Sequence, residues 1–372
     1  MKKIACMAVV LFLSFLLPLD AFAFMPGVDG ANVGTLAGTG SHGAWDGGLA
    51  QFNMPFGIAG QPGGSVVVAD TFNNVIRSIS AHGDVSTFAG LILETGDDNF
   101  PLGFYLDASL SEAGFNRPAG VAVDADGRIF IADSENHAIR IISEGMVFTF
   151  AGGNGRGFAD GNPNVSMFNL PGAIAVCPEG NLLVADTGNH VIRKITPDGI
   201  SSTVAGQAGQ FGYAGGYSSL FDSPQGIAVD AEGSIFVADT GNNLIRVIEG
   251  GQTRTLAGSR IVGTEGGHGD VWDLAPIGGF RDGFGDYALF NQPIGLAIWN
   301  GYLLVADSAN HVIRIVSPDG EARTLLGSGA PGYVDGAARQ AAFHFPMGIY
   351  AQAGRLLITD TGNNMIRFVE LR

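Results

Sequence analysis

Short apolar runs bounded by turn-forming residues recur along the whole chain. Gly226-Ile227-Ala228-Val229 is followed by Asp230-Ala231-Glu232-Gly233 and then by Ser234-Ile235-Phe236-Val237-Ala238, a pattern that predicts a β-hairpin. The loop Asp239-Thr240-Gly241-Asn242-Asn243 leads into a third run, Leu244 to Ile248, and a Gly-containing turn into a fourth, Thr253 to Gly258. Elsewhere Thr196-Pro197-Asp198-Gly199 and Ser317-Pro318-Asp319-Gly320 supply Pro-led turns between third and fourth runs. The predicted unit is therefore four short strands in series.

That unit is repeated. Asp-[Ser/Thr]-x-Asn-[His/Asn]-x-Ile-Arg occurs as Asp70–Arg77, Asp133–Arg140, Asp186–Arg193, Asp239–Arg246, Asp307–Arg314 and Asp360–Arg367. A Phe-x-x-Pro opening precedes each copy, at Phe52/Pro55, Phe115/Pro118, Phe168/Pro171, Phe221/Pro224, Phe290/Pro293 and Phe343/Pro346, and successive prolines lie 63, 53, 53, 69 and 53 residues apart. The basic period is 53, and two units carry insertions, over residues 91–112 and 259–286. Four strands per period of this size predict an all-β fold, a six-bladed β-propeller of four-stranded antiparallel blades. The sixth copy ends after its third strand, while a spare fourth-strand sequence, Val33-Gly34-Thr35-Leu36-Ala37-Gly38, stands at the N-terminus. The expectation is a ring closed by that N-terminal strand completing the last blade, which leaves no open sheet edge.

The units resemble NHL repeats in the Pro-x-Gly-[Ile/Val/Leu]-Ala opening, the Val-Ala-Asp-[Ser/Thr] step, the Asn-[His/Asn]-x-Ile-Arg segment and the Thr-[Leu/Phe]-Ala-Gly strand, over residues 33–370. Departures are local: Ala173 follows Pro171-Gly172, Tyr350 stands for Ala, and Trp299-Asn300-Gly301 and Cys177-Pro178 lack the usual Asp turn. The resemblance implies a six-bladed propeller but no single activity, since such propellers serve as protein-binding platforms, as RNA-binding faces and, in relatives, as enzymes.

Composition fits this reading. There are 58 Gly and 16 Pro in 372 residues, with 46% hydrophobic and 15% charged residues: enough apolar matter for a core, and glycine for many turns. The net charge of −16, with Lys present only at positions 2, 3 and 194, argues against a nucleic-acid partner, which needs a basic face. Lys2 and Lys3 precede an apolar run from Ile4 to Leu17 and then Ala21-Phe22-Ala23. This predicts a cleaved signal peptide over residues 1–23, a single propeller domain over 24–372, and an exported, periplasmic or extracellular, monomeric protein without a membrane span after cleavage. Cys177 is the lone cysteine of the predicted mature chain. It ends an apolar run and reads as a small buried hydrophobe.

A residue present in all six units is more suited to building blades than to acting once. Asp70, Asp133, Asp186, Asp239, Asp307 and Asp360 are thus read as structural, accepting backbone N–H groups at a loop mouth and paired with Arg77, Arg140, Arg193, Arg246, Arg314 and Arg367. His137, His190 and His311 share a position with Asn74, Asn243 and Asn364, which also speaks for structure. Candidate binding residues fall in the insertions: Asp97, Asp98, Phe100, Phe104 and Tyr105 in the first, His268, Asp270 and Trp272 in the second. Both insertions join a fourth strand to the next first strand, on one face of the predicted ring. The carboxylates there leave Ca²⁺ or another divalent cation as the one cofactor in view. The residue after each repeat Phe is Asn53, Asn116, Asn169, Asp222, Asn291 or His344. Asp222 and His344 break the Asn pattern and are the candidate catalytic pair for a second reading, a channel-centred hydrolase or lyase, lactonase-like and metal-dependent, against the first reading of a protein- or small-molecule-binding scaffold.

Overall fold

The computed structural model describes residues 28, 30–96, 100–259, 261–262, 276–352 and 354–370. Six antiparallel blades stand in a ring. Their first strands, Pro55–Gly60, Pro118–Val123, Pro171–Val176, Gly226–Val229, Pro293–Trp299 and Pro346–Gln352, line the axis. In the third blade, Leu182–Asp186, Val191–Ile195 and Ser201–Ala205 follow outward in order. In the sixth, the place of the fourth strand is taken by Asn32–Ala37, which pairs antiparallel with Met365–Glu370. Blades 2, 5 and 6 carry a fifth, two-residue strand that the repeat pattern does not predict: Ala108–Ser109, Gly283–Phe284 and Gly336–Ala337, contributed by the connections.

The pattern of burial explains why these residues form these strands. Second strands are largely buried, and wholly so in Val66–Asp70 and Leu182–Asp186, because each blade presses both its faces against neighbours, and continuous apolar runs suit that position. There is no single core but six, one between each adjacent pair of blades. Each holds one repeat phenylalanine: Phe52, Phe115, Phe168, Phe221, Phe290 or Phe343, all essentially inaccessible.

At the waist the first strands meet backbone to backbone. A Cβ on Gly226 would lie 1.8 Å from the Ile294 carbonyl oxygen, one on Gly295 2.1 Å from that of Met347, and one on Gly348 2.3 Å from that of Phe56. The third residue of Pro-x-Gly is glycine here because nothing larger fits. The space left on the axis is about 70 Å³, lined by Phe56, Ile174, Gln225, Ile294, Leu296 and Met347 among others. Towards the first-to-second strand turns a wider cavity of about 310 Å³ is lined by Val176, Val229, Ile298 and Tyr350. The departure at Tyr350 is matched next door: a Cβ at Gly60, where blades 2 to 5 carry Val or Ile, would lie 1.9 Å from the Tyr350 hydroxyl. Cys177 is half-buried at a turn, and burial pushes its thiol up, away from the reactive thiolate.

Candidate functional site

The repeat signature is consumed by construction. In every blade one oxygen of the repeat Asp accepts the N–H of the residue after the repeat Phe at 2.7–2.8 Å. The other oxygen accepts the Asn three positions on and the Arg seven positions on, the latter at 2.7–2.9 Å. Both partners of each ion pair are buried. Burial pushes Asp70, Asp133, Asp186, Asp239 and Asp307 up to about 6, and Asp360 upward. Each faces only donors, which favour the ionised form.

The two remaining variable positions tie blade to blade. The Ser/Thr hydroxyl after the Asp donates to the carbonyl of the next blade's opening proline at 2.5–2.8 Å, ending with Thr361 on Pro55. The Asn/His residue stands in the left-handed conformation, φ 52–59°. Its side chain accepts the N–H of the second residue after the next blade's Phe: Asn74 from Arg117, His137 from Leu170, His190 from Ser223, Asn243 from Gln292, His311 from Phe345 and Asn364 from Met54. Asn and His interchange because both tolerate a positive φ and both present an acceptor, Oδ1 or neutral Nδ1, at the same place.

That acceptor makes the His137 and His311 latches sensitive to acid. Burial lowers the pKa of His137 and His311, with the His344 imidazole adding to the effect at His311. A depressed folded value means that the unfolded chain takes the proton more readily. The latch contribution is therefore complete above the unfolded value near 6.5 and is lost as pH falls through the lower folded value. Converting His137 and His311 to Asn should leave the unfolding free energy unchanged at pH 8. Near pH 5 the variant should exceed the wild type by about 1 kcal/mol per latch. Equal pH profiles in paired urea titrations would show that the histidines do not act as acceptors.

Asp222 and His344 sit at the channel rim in blades 4 and 6, each engaged with the preceding blade rather than with the other. Asp222 lies 3.7 Å from His190 and accepts the Ser223 hydroxyl. The His344 ring lies 5.6 Å from that of His311. Asp97, Asp98, His268, Asp270 and Trp272 lie outside the described residues. Of the first insertion's aromatics, Phe100 packs edge-on against Phe72 at 5.1 Å, Phe104 lies over Gly114, and the Tyr105 ring covers the Arg140 guanidinium at 4.8 Å while its hydroxyl meets Thr149. All three lean on the propeller's own body. Among the described residues no group of three or more His, Cys, Asp or Glu could hold a metal ion.

A second carboxylate of the repeat escapes the sequence reading. Asp46, Asp107, Asp160, Asp282 and Asp335, on the connections that enter blades 1, 2, 3, 5 and 6, each bind the second guanidinium nitrogen of the blade's Arg. Asp107 and Asp282, which lie within the two insertions, are thus part of the unit. The same carboxylates accept from a fourth-strand Thr in each of these blades, such as Thr87, Thr149 and Thr203. An aromatic two positions earlier lies over the Arg in four of them: Tyr105, Phe158, Phe280 and Tyr333, at 4.8–5.4 Å. A recurring [Phe/Tyr]-x-Asp before the Phe-x-x-Pro opening was the available signal. Blade 4 departs from it, with Tyr213-Ala214-Gly215 in that place.

These features define a class: an all-β propeller of six self-similar blades, each pinned by a buried Asp–Arg pair. Its repeats are NHL repeats. The NHL repeat family matches residues 115–142, 168–195 and 221–248, which are blades 2 to 4, and the other three blades carry the same signature. Protein SUPPRESSOR OF QUENCHING 1, chloroplastic, of Arabidopsis thaliana is 30% identical over 283 residues, 72% of this chain and 26% of that protein. NHL repeat-containing protein 2 of Bos taurus is 29% identical over 301 residues, 71% of this chain and 40% of that protein. The chain thus spans less than half the length of these relatives. Among solved structures, an auxiliary nutrient binding protein from Bacteroides thetaiotaomicron superposes with a TM-score of 0.65 at 15% identity, over 91% of this chain and 76% of that one. A gluconolactonase from Xanthomonas campestris gives 0.57 at 16% identity, over 93% and 92%. At such identities the likeness is one of fold.

Proposed function

We propose that this chain is an exported binding module that recognises its ligand on the face formed by the connections from each fourth strand to the next first strand. The observation that carries this is where the aromatics are. Among the described residues, every exposed aromatic side chain except Phe148 lies on one of those connections. The connection into blade 4 alone presents Phe211, Tyr213 and Tyr217, each more than half exposed. Aromatic groups held on a rigid scaffold and left in solvent are the usual anchors of recognition. The rival, a hydrolase or lyase worked from the channel, has less support: the waist is lined by apolar side chains and Gln225, and its two candidate residues point to different neighbours. No helix among the described residues is long and apolar enough to cross a membrane, and export rests on the Lys-led apolar segment at the N-terminus.

Ligand-observed NMR against a library of organic acids, sugars and short peptides tests this. Ligands that bind the wild type should lose at least about tenfold in affinity with Phe211→Ala/Tyr217→Ala, since removing a buried interfacial aromatic costs at this scale. Ligands unaffected by that variant but displaced by Gln225→Leu would instead favour the channel.

A further inference from the structure

We infer that blade 4 carries a carboxylate-binding seat, built by the repeat and left for a ligand's acid group. This rests on the binding-module reading and names the chemistry of one of its sites. In five blades a carboxylate from the chain itself occupies one constant place: it sits on the outer nitrogen of the repeat Arg, as at 2.6 Å for Asp46, Asp107 and Asp160, and on the hydroxyl of a fourth-strand Thr, joined in blades 1 to 3 by that residue's N–H, at 3.0–3.2 Å for Thr87, Thr149 and Thr203.

Blade 4 preserves the cradle. Arg246 pairs with Asp239 and stands opposite Thr255 in the same strand register that sets Arg193 opposite Thr203. Gly215 takes the place of the Asp: Gly216 bridges to Thr253 just as Gly47, after Asp46, bridges to Val85. A Cβ at Gly215 would lie 3.9 Å from the Arg246 outer nitrogen. Among the described residues, one carboxylate therefore reaches this guanidinium where the sister blades supply two.

An independent sign points to the same spot. The Thr253 hydroxyl is buried, with the residue 3% exposed, and has no hydrogen-bond partner. Its counterpart in blade 3, Ser201, accepts from the outer nitrogen of Arg193 and donates to the Gly161 carbonyl, each at 3.3 Å, so Thr253 stands beside the cradle with a buried, unmatched hydroxyl, which is costly to keep. In the sister blades the carboxylates that fill this place are 41–50% exposed, and in blade 4 Thr255, which would receive the acid, is exposed, while Arg246 is 1% exposed. Tyr213 and Tyr217 flank Gly215 in the chain and are exposed. The ligand class that fits is a small organic carboxylate with a flat or sugar-like body: the acid on Arg246 and Thr255, the body against tyrosine.

Amide-resolved NMR titration with sodium acetate and sodium benzoate, at ionic strength held constant with sodium chloride and with methyl acetate as the neutral control, tests the seat. Expected are saturable shifts around Gly215–Tyr217 and Thr253–Thr255 with both acids and none with the ester, at dissociation constants on the order of millimolar for so few atoms, tighter for benzoate. Gly215→Asp should abolish them by filling the seat from within, as in the sister blades. The Thr253 carbonyl must yield slightly to the new Cβ, at 2.9 Å, so Thr255→Val, an exposed strand position, serves as a second variant and should weaken acetate at least fivefold. Shifts that do not saturate, or that persist unchanged in both variants, overturn the seat. Acids binding here while every library ligand binds elsewhere would sink the wider reading and leave the seat standing. Library ligands that bind the blade 4 aromatics but carry no acid would do the reverse.

Discussion

Asp186→Ala is expected to cost about 3–5 kcal/mol of stability, the range for removing one partner of a buried ion pair. The loss goes beyond one bond. The Asp186 carboxylate meets the Asn169 N–H, the Asn189 amide and the Arg193 guanidinium at 2.8 Å each. Removing it leaves three donors facing an apolar gap between blades 2 and 3. Asp160→Ala removes the other carboxylate on Arg193, but that one is 41% exposed and water can replace it, so a clearly smaller loss is expected. Paired denaturant titrations give both values. Equal losses would mean that the inner and outer carboxylates are equivalent, contrary to their burial.

Gly226→Ala should be about as damaging, at about 3 kcal/mol or more, the upper end for overpacking. The new methyl would sit 1.8 Å from the Ile294 carbonyl oxygen and 2.9 Å from the Ala238 Cβ. Neither is the end of a flexible side chain, so blade 4 must move away from blade 5. Gly48→Ala is the control: its Cβ meets nothing within 4 Å and its φ is ordinary, so near-neutral stability is expected. A tolerated Gly226→Ala would show that the first strands are not packed backbone to backbone at the waist.

Much of this molecule was legible in its sequence, for a physical reason. Six copies of a 53-residue unit sample the same environment six times, so a residue kept in all of them marks a shared constraint. The inner Asp–Arg pair was readable because both members lie on one fixed segment, seven residues apart. The outer carboxylates were not, because the connections that carry them differ in length: Asp107 lies 33 residues before Arg140, but Asp46 lies 31 before Arg77. The interchange of Asn and His showed that position to be structural without showing why. Only the left-handed backbone and the neighbour's N–H explain it, and neither is written in one blade's sequence. The candidate site followed the same logic in reverse. Sequence pointed to the two long insertions, whereas Phe100, Phe104 and Tyr105 turn back onto the propeller. What stands out is a break in the symmetry: Gly215, where five sister blades place an acid.

If the repeat signature is spent on holding the ring together, recognition must lie on the connections. The most direct measurement is an amide-resolved map of the first small molecule found to bind. Perturbations gathered on the fourth-to-first strand connections, foremost Phe211–Tyr217 of blade 4, with the repeat Asp and Arg signals unmoved, are the expected result. Perturbations centred on the first strands at Gly57, Gly120, Gly226 and Gly295, or on the rim residues Asp222 and His344, would contradict it and place the work of this protein in its channel.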